Sequence, residues 1–120
     1  MAWKIAQSPL LGEMTVAPGN AGIAGIADCV PLAVPGAYAP EAEVAAYGAA
    51  VVEGARARKV DLVVVAPDDP LAFGLVDIVQ AAGIRAFGPT KAAARIESSK
   101  AFAKDLMRRH GIPTASVHLL

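Results

Sequence analysis

Residues 60–83 read VDLVVVAPDDPLAFGLVDIVQAAG, and the fold follows from how this stretch is parsed. VDLVVV, residues 60–65, is a run of apolar and β-branched residues without alternation. Such a run marks a strand covered on both faces, as in a parallel sheet. It breaks at Ala66-Pro67-Asp68-Asp69-Pro70. The helical spacing of LAFGLVDIVQAA then predicts a helix over 71–82, closed by Gly83. IRAF, residues 84–87, makes a second short strand ending at Gly88-Pro89. Strand, helix and strand in that order form a parallel crossover unit.

The pattern continues on both sides. Downstream, Thr90 is placed to cap a helix from Lys91 to about Glu97, and Ser98 or Ser99 a second from Lys100 to His110. Gly111 and Pro113 end that helix, with Arg108, Arg109 and His110 well placed in its last turn. Phe102, Leu106 and Met107 form its apolar, core-facing stripe. Upstream, a helix runs from Glu41 to about Lys59, weakened by Gly48 and Gly54. CVPLAV, residues 29–34, reads as a strand that Pro31 confines to an edge or interrupts. MTVA, residues 14–17, reads as a strand stopped by the turn Pro18-Gly19-Asn20, and residues 2–8 as a short helix. The expected class is therefore α/β, with a Rossmann-like, doubly wound parallel sheet and ligands bound at the carboxyl ends of its strands.

Composition limits what the chain does. Lys plus Arg equals Asp plus Glu, at 11 each, so no global field draws nucleic acid or an anionic membrane. Hydrophobic residues reach 55%, but alanine supplies 27 of the 120 residues and aromatics only 5%. The core must then come from Val, Ile, Leu and Ala. No apolar run approaches the roughly 18 residues of a membrane span, and the first ten residues do not resemble a signal peptide. A single cysteine, Cys29, excludes an internal disulfide and reads as a small buried hydrophobe. This usage fits a reducing, cytoplasmic setting. His110 and His118 lack metal-ligand spacing and read as surface residues. Trp3 receives no chemical role.

Three motifs carry candidate chemistry, each with a structural alternative. APGNAG, residues 17–22, permits close backbone approach at Gly19 and Gly22 and offers the Asn20 amide, as a loop gripping a phosphate or sugar would. Local chemistry alone favours a tight turn. In APDDP, residues 66–70, two stiffening prolines hold Asp68 and Asp69 at a strand end, where they could bind an amine or a sugar hydroxyl. Structurally, Asp69 caps the next helix with Pro70 in its first position. That leaves Asp68 without a structural role and makes it the better functional candidate. Lys100 puts a cation in a helix's first turn, against the dipole, which hints at an anionic ligand. A solvated lysine is the simpler reading.

Together, AWKIAQSP, TVAPGNAG, KVDLVVVAPDDPLAFGLVDIVQAAGI and FGPTKAAARIESSKAFAKDLMRRHGIPTA resemble the amino-terminal domain of phosphoribosylamine–glycine ligases. The likeness is strong over residues 59–115 and weak over 23–58. Those enzymes join phosphoribosylamine to glycine with ATP and Mg or Mn in purine biosynthesis. They form an acyl phosphate on glycine, which the amine then attacks. The resemblance implies a Rossmann-like domain of the pre-ATP-grasp type over residues 1–97. Residues 98–120 would be a linker helix and the start of an ATP-grasp domain. It places Pro18, Gly19 and Asn20 in the family's APGN loop. Pro67, Asp68, Pro70 and Leu71 fall in the loop usually written GPExPL, beside the phosphoribosylamine site. Lys100 falls on the nucleotide-contacting lysine of the SK pair. Phosphoribosylamine and glycine are the implied small-molecule partners.

The departures are specific. Ala66 replaces the usual Gly and Asp68 the usual Glu, one methylene longer, so a substrate contact is lost or bridged by water. Ser98 replaces the Gly of EGSKAF, and residues 29–45 carry extra prolines. The strand and glycine-rich loop, roughly GxGGREHAL, that precede AWKIAQSP in the family are absent. The resemblance thus implies a fragment that is inactive alone and binds no cofactor tightly. Its sheet would lack the central first strand, between residues 14–17 and 60–65. Unpaired edges of that kind predict a marginal or aggregation-prone domain. The alternatives are a non-catalytic phosphoribosyl-binding module and a non-functional truncated product.

Overall fold

The computed structural model describes residues 1–115. It divides into two compact units, Met1–Pro35 and Gly36–Leu120.

The first unit holds a one-turn helix and a pair of strands. Helix α1 (Ala2–Ile5) is shorter than the expected 2–8. It has no side-chain cap and buries no residue, so nothing extends it beyond the turn in which the Ser8 N–H donates to the Ile5 carbonyl at 2.9 Å. Trp3 is 68% exposed. Strands β1 (Thr15–Val16) and β2 (Asp28–Cys29) pair in parallel, with Thr15 opposite Asp28 and Val16 opposite Cys29. The Asp28 N–H donates to Met14 and the Val30 N–H to Val16, at 2.9 and 3.0 Å. The strand expected over 29–34 is thus only two residues long. Pro31 follows Val30 and has no N–H to continue the ladder. Cys29 is half-buried rather than buried.

The second unit contains the buried core. Helix α2 (Glu41–Ala57) carries Glu41 and Glu43 in its first turn and Arg56 in its last, which suits the dipole at both ends. It ends two residues before the expected Lys59, which turns left-handed at φ 53°, while the Val60 N–H reaches back to the Ala55 carbonyl. Strands β3 (Val63–Val64) and β4 (Ala86–Phe87) pair in parallel, with Val63 opposite Ala86. Between them the single helix expected over 71–82 is two: α3 (Asp68–Phe73) and α4 (Leu75–Ala81). Gly74, at φ 89°, separates them, in a left-handed conformation no other residue adopts as readily.

Val76 and Val79 on α4 are fully buried, as is Pro70, and Val65, Leu75, Tyr47, Ala55, Ala94 and Ala103 complete the core. Two arginines fasten the crossover. Arg56 donates to the Ala82 carbonyl at 2.9 Å, and Arg85 Nε to the Asp61 carbonyl at 3.1 Å. Helix α5 (Lys91–Ser98) is capped by Thr90, whose hydroxyl accepts from the Ala93 N–H, as expected. Helix α6 (Lys100–Arg109) is capped by Ser99, not Ser98, through the Phe102 N–H at 3.3 Å. Ser98 is the last residue of α5. The Arg95 guanidinium lies over the Phe102 ring, 4.1 Å from its centroid, across the joint between these helices.

On α6 only Ala103 is buried. Phe102, Leu106 and Met107, expected in the core, are half-buried, because a ten-residue helix packed against α5 covers one narrow side of its stripe. His110 is exposed, as expected; His118 lies outside the described residues. Among the described residues no helix is long and apolar enough to cross a membrane.

Candidate functional site

The motif residues form two separate surfaces, one in each unit. In the first, Pro18, Gly19 and Asn20 follow β1 and line a shallow depression with Ala24, Cys29, Val30 and Pro31. The Ala17–Pro18 peptide is cis. Gly19 lies against β2 so closely that a Cβ there would overlap Cβ and Sγ of Cys29. Glycine is required here by contact with the neighbouring strand. Asn20 also shapes its own loop. Its Oδ1 accepts from the Ile23 N–H at 3.1 Å, and its carbonyl accepts from Ile23 and Ala24 at 3.0 Å. This side-chain turn leaves the amide NH2 as the group Asn20 can offer a ligand.

In the second unit the loop 66–70 leads directly into α3. Pro67 is the N-cap, at φ −76° and ψ 149°, and Asp68 and Asp69 occupy the first turn. Asp69 is therefore not the cap, and Pro70 is third in the helix rather than first. The reason is geometric. Pro67 already has the extended backbone a cap needs, and the N–H that Pro70 lacks is one of the helix's unpaired donors. Both aspartates face the positive end of the helix dipole, so Asp68 is not structurally idle.

Asp68 and Leu71 share a groove between α3 and α5 with Pro89, Ala93, Ala94, Ile96, Glu97 and Ser98. Its floor is apolar, and Asp68, Glu97 and Ser98 supply its polar groups. Pro70 is buried in the first turn of α3 and Pro67 is its N-cap, so these prolines flank Asp68 rather than line the groove. Gly88, at φ 147°, precedes the groove residue Pro89 and lies against the Leu71 side chain. A Cβ there would lie 3.0 Å from Leu71 and Val76 side-chain carbons and 3.2 Å from the Val65 carbonyl oxygen. Lys100 is exposed in the first turn of α6 and is not a groove residue. Sequence reasoning misses Pro89, Glu97 and Cys29 as lining residues. The signal for Glu97 is its place just before Ser98-Ser99-Lys100.

Among the described residues no three of His, Cys, Asp and Glu gather as a metal-holding group. Tyr47 is the one described group whose acidity is clearly moved: burial pushes its phenol above the ordinary value of 10.0.

The architecture is mixed α and β: β3 and β4 pair in parallel through α3 and α4, β1 and β2 pair in parallel through turns, and motif loops follow β1 and β3. The sequence matches the family described as phosphoribosylglycinamide synthetase, N domain, over residues 1–97, and the chain belongs to that family. It is 47% identical over 116 residues to the phosphoribosylamine–glycine ligase of Mesorhizobium japonicum, covering 97% of this chain and 25% of that protein. The corresponding ligase of Salmonella typhimurium is 44% identical over 119 residues, again 25% of its length. The trifunctional purine biosynthetic protein adenosine-3 of Gallus gallus is 47% identical over 115 residues, 11% of its length. The chain thus spans about a quarter of the length of these bacterial relatives.

Proposed function

We propose that the chain supplies part of the phosphoribosylamine site of an ATP-dependent carbon–nitrogen ligase that joins phosphoribosylamine to glycine in purine biosynthesis, in the cytoplasm. The observation that carries this reading is the pairing of family membership with the placement of Asp68 and Leu71 on one groove. In this reading Pro18 and Gly19 present the backbone after β1, and Asn20 donates its free amide hydrogens to the phosphoribosyl group. Pro67 and Pro70 fix Asp68, which accepts from the substrate amine or a ribose hydroxyl, and Leu71 supports the sugar. Lys100 meets a nucleotide phosphate. ATP with Mg or Mn would supply the acyl-phosphate chemistry on glycine. In this reading the chain by itself does not turn over.

The finer fold belongs to the same proposal. Residues 1–97 form a Rossmann-like domain of the pre-ATP-grasp type, and residues 98–120 lead into the grasp domain. What supports it is the parallel pairing of β3 with β4 across α3 and α4.

Titration of the purified chain with ribose 5-phosphate, followed by amide chemical shifts, tests the site. Saturable shifts in the loop at 66–70 that vanish in Asp68→Ala support it; no saturable shift overturns it. ADP formation dependent on glycine and phosphoribosylamine would overturn the expectation that the chain is inactive alone.

A further inference from the structure

We draw no further inference here: the strongest candidate, the groove between α3 and α5 with the Asp68 and Glu97 carboxylates at its edge, belongs to the site already described and holds no bound ion or buried unpartnered polar group that points to another ligand.

Discussion

The Asp77 carboxylate, on the first turn of α4, accepts a hydrogen bond from the backbone N–H of Lys91, the first residue of α5, at 2.7 Å. One helix thereby caps the start of another, alongside the local Thr90 cap. A charged acceptor at a helix N-terminus satisfies an unpaired donor and complements the dipole. Asp77→Ala should lower unfolding stability by about 1–2 kcal/mol. Asp77→Asn, which keeps an acceptor but not the charge, should cost less. Urea unfolding of the three proteins checks the order, and equal midpoints would contradict it.

Gly88 combines a positive φ of 147° with a position where a Cβ would meet Leu71, Val76 and the Val65 carbonyl oxygen. Gly88→Ala meets both the backbone strain and the crowding, and should destabilise by about 1–3 kcal/mol. Because Leu71 is one of the contacts, the groove should deform too. Chemical shifts of the Leu71 methyls in the variant test this directly.

Tyr47 gives a pH signature. Its phenol is raised by burial, so the folded chain holds that proton more tightly than the unfolded chain. The sign follows: this contribution is whole below pH about 10 and is lost as pH rises from there through the folded value. The stability of the native protein relative to Tyr47→Phe should therefore fall above that pH. Melting both proteins between neutral and strongly alkaline pH isolates the effect, since other titrations are common to both. A constant difference would mean the phenol is not buried.

Asp68 has a shorter reach than the Glu usual in the family loop. If Asp68 contacts the phosphoribosyl ligand, Asp68→Glu should tighten ribose 5-phosphate binding several-fold, and Asp68→Ala should weaken it by tenfold or more, about 1.4 kcal/mol. Calorimetric titration separates the two. Equal affinity across the series would remove Asp68 from the site.

The buried hydrophobic residues run from Tyr47 to Ala103, all in the second unit. Segments with few buried apolar contacts open at low free energy. Amides of Met1–Pro35, including the β1–β2 ladder, should exchange with solvent much faster than those of α2 and α4. Hydrogen-exchange mass spectrometry resolves the two regions, and uniform protection would refute the expectation.

The crossover is legible because the terminator at Gly83 and the cap at Thr90 act locally, but the apolar run at 60–65 overstates its strand, which is only Val63–Val64 and half-buried in a two-stranded sheet. The break at Gly74 is not legible, because the spacing of LAFGLVDIVQAA fits a continuous helix and only the backbone reveals the left-handed turn. The apolar pattern at 29–34 overstates its strand for a similar reason. Hydrophobicity continues past Cys29, but Pro31 removes the donor that pairing needs. At the candidate site, the loops were visible from their Pro, Gly and Asp residues. The groove partners Pro89 and Glu97 were not, because they reach Asp68 only through the packing of α5 on α3. Which of Asp68 and Asp69 starts the helix is not legible in the sequence, because either proline, Pro67 or Pro70, can stand at a helix start.

Arg56 to Ala82 and Arg85 to Asp61 tie together residues 26 and 24 positions apart, on either side of α3 and α4. The intervening chain is a ring fastened at its base and filled by its own buried Pro70, Leu75, Val76 and Val79. The entropy of closing a flexible ring changes by only about 0.6 kcal/mol for each doubling of its length, a small term beside the burial of four such side chains. The segment that carries the candidate chemistry is therefore held to its length by what it buries and not by its clasps.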